Sequence, residues 1–228
     1  MIDHARDLAS VQQATERLLS AAAELDNADV TQPSRLPGWS RGHVLAHLAR
    51  NADALVNVLQ GRPMYVSAEA RDADIERDAP RPLDEQLADV RASAERFREA
   101  GAAPADWTRT VELRNGVTDS ASRVPFRRWV EVELHHVDLG VGYELEDLPA
   151  EFTEREIDFL ADRFTGHPDV PPTRLTDGTR AWRTGREADA PEVTVQGSRA
   201  DLLGWLAGRR DGSALTAEGG PLPSLPPL

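Results

Sequence analysis

The chain has 228 residues, of which 40% are hydrophobic and 5% aromatic, enough apolar side chains to bury the core of one large domain or two small ones. Its formal net charge of −13 repels phosphate backbones and anionic lipid surfaces, so we expect neither nucleic acid nor membrane as a partner. The absence of cysteine and lysine excludes disulfides, zinc bound by cysteine, a protein-borne thiol nucleophile and a lysine Schiff base. No signal peptide and no long apolar run are visible, which predicts a cytoplasmic protein.

Up to residue 140 the apolar side chains recur mostly with helical spacing. Four helices are predicted before residue 105: residues 8–25, residues 41–59 after the N-cap Ser40, residues 68–77 after Ser67, and a helix that begins at Pro82 and ends near Gly101 and Pro104. Asn115-Gly116 then predicts a hairpin turn between strands at 108–113 and 117–124. Pro125 begins a further helix that ends near Gly140. Four of these helices are long, which favours a four-helix bundle.

The remainder of the chain changes character. Residues 152–164 predict a helix, and a proline-rich break follows it. Short strands are predicted at 180–183, 192–196 and 215–218, with a helix from Ser198 to Ala207 between the last two. We therefore predict a mainly α protein, with a helical bundle over residues 1–148 and a small α/β domain over residues 149–228.

Histidine is scarce, and four of the six histidines fall in two predicted bundle helices: His43, His47, His135 and His136. Glu131 and His135 are four residues apart and therefore share one face of a helix. With a histidine from the second helix they offer two imidazole nitrogens and one carboxylate oxygen to a metal. Three protein ligands leave a coordination position open, as in catalytic zinc sites. His47 can supply the second imidazole, and His43, four residues earlier, remains a rival.

These residues also suit purely structural roles. A Glu-x-x-x-His pair is common by itself, and Arg127 and Glu131 have the spacing of a surface ion pair. His43 and His136 suit hydrogen-bonded positions in a core. The sequence has no nucleophile elbow, dinucleotide fingerprint or P-loop, so a metal held between helices is the hypothesis with the most support.

Four stretches resemble the mycothiol-dependent maleylpyruvate isomerase family: LPGWSRGHVLAHLARNADAL at 36–55, PMYVSAEARDADIE at 63–76, EVELHHVDLG at 131–140 and LLGWLAGR at 202–209. The resemblance implies a DinB-like four-helix bundle followed by a small α/β domain, a divalent metal that we expect to be zinc, and the external thiol mycothiol. It places the metal ligands at His47, Glu131 and His135. It also implies arginines that contact the thiol and the substrate. Our candidates are Arg71 and Arg209, and for both an ordinary surface arginine is the competing interpretation.

The activity implied by the resemblance is the isomerisation of maleylpyruvate to fumarylpyruvate, in the gentisate pathway of aromatic catabolism. We hypothesise that a metal-activated mycothiol thiolate adds to the cis double bond, the resulting single bond rotates, and the thiolate leaves to give the trans product. An arginine would hold the substrate carboxylate. Two different functions stay open: a mycothiol S-transferase on the same site, and a non-catalytic binding module stabilised by the metal. We expect a monomer whose partners are a small-molecule substrate and the thiol.

Overall fold

The computed structural model describes residues 3–103 and 105–227. It confirms a mainly α protein with a small α/β part, and it divides into two compact units between Tyr143 and Glu144. The predicted domain boundary, between residues 148 and 149, lies a few residues further along the chain. Among the described residues, none of the helices combines the length and the apolar character that a membrane span requires.

The described part of the first unit contains helices and one two-stranded antiparallel sheet. The elements are α1 (His4–Ala22), α2 (Asn27–Val30), α3 (Arg41–Leu59), α4 (Ala68–Asp78), α5 (Leu83–Ala102), β1 (Thr110–Glu112), β2 (Thr118–Ser120) and α6 (Val124–Leu139). The long helices α1 and α3 each pack against both α5 and α6. Helix α3 is buried along most of its length, so a polar side chain in its middle faces other helices rather than bulk water.

Local capping explains where several helices begin and end. The Ser40 hydroxyl accepts a hydrogen bond from the backbone N–H of His43 at 3.3 Å, and Ser67 accepts one from Ala70 at 3.1 Å. The predicted N-cap Ser40 is therefore confirmed, and Ser67 caps α4 in the same way. Helix α6 ends at Gly140, whose φ of 66° is the left-handed conformation that glycine adopts without steric strain.

Some predicted boundaries in this unit were wrong. Helix α1 covers His4–Ala22 and not residues 8–25. The returning strand was predicted over 117–124, but residues 121–123 form a 3₁₀ turn and Val124 already belongs to α6. Helix α5 ends at Ala102, next to its predicted end near Gly101, so Gly101 still lies inside the helix. A Cβ at Gly101 would lie 2.5 Å from a methyl group of Leu8, so glycine allows α1 to pack closely there. Pro104 lies outside the described residues.

The described part of the second unit contains a four-stranded sheet, two α-helices and a short 3₁₀ helix at Leu145–Asp147. Its elements are α7 (Ala150–Arg163), β3 (Thr173–Thr176), β4 (Ala181–Thr184), β5 (Val193–Gln196), α8 (Arg199–Leu206) and β6 (Thr216–Glu218). The strand order is β4-β3-β5-β6, in which β3 and β5 are parallel and the outer pairs antiparallel. The sequence prediction missed β3, because the two prolines immediately before it were interpreted only as a break.

Candidate metal centre

Side chains from α3 and α6 converge at one point in the first unit. The Nε2 atom of His47 lies 2.9 Å from Oε2 of Glu131, and Nε2 of His135 lies 3.3 Å from the same oxygen. The three ligand atoms all lie within 4.8 Å of one another, close enough to share one cation. The structure thus brings together the residues that were predicted as a metal site, and their role as ligands stays a prediction.

Helix packing explains this convergence. Glu131 and His135 are one turn apart on α6, so both project from the same side of the helix. Arg41, in the first turn of α3, donates from Nε to the carbonyl of Leu139 at 2.9 Å, near the end of α6. The beginning of α3 therefore lies beside the end of α6, which places His47 opposite the Glu131–His135 pair.

A second carboxylate supports His135 from behind. Asp138 is completely buried, and its Oδ2 lies 2.8 Å from Nδ1 of His135. This hydrogen bond keeps a proton on Nδ1 and turns Nε2 towards Glu131, an arrangement common behind metal-binding histidines. The sequence prediction missed Asp138, although its position three residues after His135 on the same helix was an available signal.

The ionisation states suit a cation site. Burial lowers the pKa of His47 to about 4 against the opposing effect of Glu131, so the ring is neutral near pH 7. Burial also opposes the ionised form of Glu131, but hydrogen bonds from His135 and His47 outweigh it and hold the pKa of the carboxyl well below its ordinary range. For His135, hydrogen bonds to Asp138 and Glu131 outweigh burial and raise the pKa. An ionised carboxylate therefore faces two imidazole N–H groups, whose protons occupy the place that a cation would take.

Arg71 of α4 contacts the outer side of His47. Its Nη2 donates to Nδ1 of His47 at 3.2 Å, and its Cζ lies 5.9 Å from the centre of the Tyr65 ring. This contact requires that His47 carry its proton on Nε2. A ring that binds a cation through Nε2 instead keeps its proton on Nδ1, and a guanidinium has no acceptor for it. Cation binding by His47 and this position of Arg71 therefore exclude each other, so Arg71 has to turn away when a cation binds.

The donor set itself fits a divalent cation. Two imidazole nitrogens and one carboxylate oxygen are the ligands of many catalytic zinc sites, and the same set also suits iron. The Glu131 side chain is 32% exposed while that of His47 is 8% exposed, so the centre opens to solvent on the side of Glu131. The Trp39 ring lies 5.4 Å from the His47 ring between centroids and contributes to the burial of that histidine.

The rival histidine, His43, has different partners. Its Nδ1 lies 2.7 Å from the Ser40 hydroxyl, and its Nε2 lies 3.4 Å from a carboxylate oxygen of Glu76. Among the described residues, the group of potential metal ligands contains His47 and not His43. His43 therefore belongs to the cap at the start of α3.

The structural roles predicted for Arg127 and His136 have different outcomes. Arg127 pairs with Asp119 at 2.6 Å and not with Glu131, so the predicted surface ion pair between Arg127 and Glu131 was wrong. His136 is buried and stacks on the Tyr143 ring at 4.0 Å between centroids, which confirms a core position, while the hydrogen bonding predicted for it stays a prediction.

The last predicted residue, Arg209, lies in the second unit, immediately after α8. Its Nη1 donates to the carbonyl of Ala207 at 2.7 Å. This hydrogen bond within the second unit does not test the predicted contact of Arg209 with the thiol and the substrate.

Comparisons with known proteins agree along most of the chain. Residues 11–140 match the profile described as the mycothiol maleylpyruvate isomerase N-terminal domain, and residues 147–227 match the MDMPI C-terminal domain. Two solved structures are similar: a mycothiol-dependent maleylpyruvate isomerase (28% identity) and a histidine-to-alanine mutant of such an enzyme (27% identity). Each alignment has a TM-score of 0.89 and covers 99% of this chain and 97% of the other. Among curated proteins, none matches the chain significantly.

Proposed function

The chain belongs to the mycothiol-dependent maleylpyruvate isomerase family, and we therefore propose that it converts maleylpyruvate to fumarylpyruvate with mycothiol and a divalent cation, for which zinc is our choice. The observation that carries the proposal is the convergence of two imidazole nitrogens and one carboxylate oxygen, from His47, Glu131 and His135, within 4.8 Å. Location in the cytoplasm and a monomeric state stay predictions from the sequence.

The residues suggest how the chain would support this reaction. A divalent cation held at this centre would supply a Lewis acid that keeps the mycothiol thiol deprotonated near neutral pH. His47, Glu131 and His135 would hold it, and Asp138 would keep Nε2 of His135 directed inward. Because the chain has no cysteine, the sulfur nucleophile has to arrive with mycothiol. Once bound, mycothiol would supply a thiolate that adds to the cis double bond and leaves after rotation about the resulting single bond, so the substrate would keep all its atoms.

Arg71 is our candidate for binding the substrate. Its Nη2 already lies 3.2 Å from Nδ1 of His47, and cation binding would release this nitrogen, while Nη1 is paired with Asp72 at 2.6 Å. The Nε and Nη2 edge of the guanidinium could then hold a substrate carboxylate through two parallel hydrogen bonds. For Arg209 we propose the same kind of contact on the family resemblance alone.

The proposal is tested by following maleylpyruvate in the ultraviolet with metal-loaded protein, with and without mycothiol. We expect turnover only when both cation and thiol are present. His47→Ala should lose the bound cation and turnover, whereas the matched control His43→Ala, four residues earlier on α3, should keep both. Absence of isomerisation by the wild-type protein loaded with zinc and supplied with mycothiol would refute the proposal.

Two further readouts distinguish the isomerase from the S-transferase and from the binding module. An isomerase regenerates its thiol, so free mycothiol stays constant during turnover, whereas an S-transferase consumes one thiol per product. A binding module stabilised by the metal predicts that His47→Ala unfolds readily. The first unit has an apolar core contributed by several long helices, so we expect this variant to keep its fold and melt cooperatively.

A further inference from the structure

A cavity of about 520 Å³ lies within the first unit, between the α3–α4 connection and the β1–β2 hairpin. Its volume is in the range of about 300–1,000 Å³ that small-molecule sites occupy. Of the described residues that line it, Arg62, Arg109 and Arg114 are basic and Glu112 alone is acidic. The whole chain has the opposite balance, with 26 basic and 39 acidic residues. The cavity is therefore a locally positive region of an acidic protein, and a cleft lined by positive charge attracts anions.

The hydrogen bonds of these arginines leave their charge uncompensated. Arg62 donates from Nε and Nη2 to Oδ1 of Asn57 at 3.0 and 2.6 Å, and Arg109 donates from Nη2 to the carbonyl of Leu59 at 2.5 Å. Both acceptors are neutral, and each guanidinium has further N–H groups that these bonds do not use. The side chain of Arg114 has no hydrogen-bond or ion-pair partner among the described residues. An anion in the cavity would therefore meet unused donors that carry positive charge.

A carboxylate near Arg109 in the sequence is occupied by other groups. Oδ1 of Asp106 accepts from the backbone N–H and the hydroxyl of Thr108 at 2.9 and 2.6 Å. These hydrogen bonds, and to a smaller extent the charge of Arg109, lower the pKa of Asp106. Elsewhere in the unit an arginine pairs fully with a carboxylate, because Nε and Nη2 of Arg96 donate to the two oxygens of Asp53 at 2.7 and 3.0 Å. The arginines of the cavity have no such pair among the described residues.

Tyr65 places this positive region beside the predicted metal centre. Its ring lines the cavity and lies 5.9 Å from Cζ of Arg71, which in turn contacts the centre. Burial and the charge of Glu131 raise the pKa of Tyr65, while the charges of Arg71 and Arg114 oppose this. The phenol is thus within electrostatic range of both the centre and an arginine of the cavity. One aromatic side chain separates the two places.

A buried guanidinium adds positive charge on the same side. Arg128 is completely buried, and its Nη1 donates to Oδ1 of Asn51 at 2.8 Å, while Nε and Nη2 have no partner among the described residues. Burial lowers the pKa of Arg128 to about 10, and the charges of Glu131 and Tyr65 oppose this. A buried charge is costly unless an opposite charge lies near it. An anion in the cavity behind Tyr65 would partly compensate the charge of Arg128.

We propose that this cavity is an anion site, in which Arg109 and Arg114 bind a carboxylate group of a small organic acid. A planar carboxylate matches the fork of a guanidinium, as the pair of Arg96 and Asp53 shows in the same unit. Such a carboxylate has two sources: the acidic substrate, which would reach from the centre past Tyr65, or a separate acid that regulates turnover. The choice between these sources rests on the proposed function, whereas the anion site itself does not.

The test is a calorimetric titration of maleate, a small dicarboxylate, into the full chain, both metal-loaded and metal-free, because the cavity should bind without the cation. Arg114→Gln, at an exposed side chain, should weaken maleate binding about tenfold, the scale of one hydrogen bond to a charged group. Glu112→Gln should strengthen it about threefold, because it removes a like charge from the lining. The matched control is Arg91→Gln, an exposed arginine of α5 outside the lining, which should bind maleate as wild type. The neutral diamide of maleic acid should not bind.

Kinetics of the metal-loaded protein with mycothiol distinguish the two sources. If the substrate supplies the carboxylate, Arg114→Gln raises the KM for maleylpyruvate about tenfold and leaves the KM for mycothiol unchanged, and maleate competes with the substrate. If a separate acid binds, maleate changes the kcat of the wild type but not that of Arg114→Gln, and the KM for maleylpyruvate is the same in both.

The titration and the kinetics fail separately. Absence of maleate binding by the wild type, equal maleate affinity in the wild type, Arg114→Gln and Glu112→Gln, or equally tight binding of the neutral diamide would overturn the inference. A wild-type protein that does not isomerise maleylpyruvate would overturn the proposed function alone, because the titration needs no turnover.

Discussion

The substitution Asp138→Asn tests the hydrogen bond behind the metal centre. Asp138 is completely buried, with Oδ2 at 2.8 Å from Nδ1 of His135. His135 can present the lone pair of Nε2 to a cation only while its proton stays on Nδ1, and the carboxylate, which only accepts, selects that form. An asparagine has almost the same shape, but its NH₂ group can also donate to an unprotonated Nδ1. The variant therefore allows the tautomer that cannot bind a cation through Nε2.

The expected loss is moderate. Removing the hydrogen-bond partner of a metal-binding histidine typically lowers metal affinity about 10–100-fold. At about 1.4 kcal/mol for each factor of ten, this range corresponds to roughly 1.4–2.7 kcal/mol. The lower end applies if the asparagine carbonyl takes over the contact with Nδ1. The upper end applies if the amide turns and the lost negative charge no longer supports the imidazole.

Competition for zinc against a chromophoric chelator measures this loss directly. The matched control is Glu133→Gln, which removes another completely buried carboxylate from the same helix. Glu133 accepts hydrogen bonds from Arg17, Trp129 and Tyr143 at 2.6–2.9 Å and makes no described contact with the three predicted ligands. Its loss should lower the melting temperature and leave zinc affinity unchanged. Equal zinc affinity of Asp138→Asn and wild type, or equal losses in both variants, would contradict our account of Asp138.

Three predictions concern stability. Gly42→Ala should destabilise the fold by about 1–3 kcal/mol in urea unfolding, because its Cβ would lie 2.1 Å from the carbonyl oxygen of Ala79. Arg128 is completely buried and donates to Oδ1 of Asn51 at 2.8 Å, so Asn51→Leu alone should cost about 3–5 kcal/mol, while Leu at both positions should recover most of that loss in a double-mutant cycle. Burial opposes ionisation of Asp177, but hydrogen bonds from backbone N–H groups and a guanidinium hold the pKa of its carboxyl below the ordinary 3.8. Its ionised form therefore stabilises the native state above that pH, and this contribution is lost as the pH falls towards the native pKa. Asp177→Asn should lower the melting temperature near neutral pH and reduce the further drop at about pH 3.

The positions of α3 and α4 could be predicted from the sequence because their ends depend on local chemistry. Helix α3 has the predicted bounds, since the Ser40 cap and the Gln60-Gly61 end act within one turn. Helix α4 extends only one residue beyond its prediction. A capping hydroxyl contacts only residues within one turn of it, so its effect does not depend on the rest of the fold.

Features that depend on distant partners could not be predicted in this way. Strand β3 pairs with both β4 and β5, and the four residues of β3 do not by themselves predict these partners. Gly101 correctly indicated the nearby end of α5, but the sequence did not show that it also admits Leu8 from α1. Spacing alone also did not separate His43 from His47, which lie one turn apart on α3. The choice depends on which of them faces α6, a property of helix packing rather than of local sequence.

Polar residues at core positions carry information that the periodicity of apolar residues does not use. Arg128 precedes Glu131 by three residues, and Asn51 follows His47 by four, so the Arg128–Asn51 contact forms the next layer between the same two helices. Burying such groups is unfavourable unless they are paired. Arg128, Asn51 and Asp138 are all buried next to the predicted metal centre. The interior is therefore polar, not apolar, around the proposed active site. Charged residues at predicted core positions of α6 would therefore have indicated two features from the sequence alone. These are Arg128, which contacts Asn51 in the layer next to the metal centre, and Asp138, the carboxylate behind His135.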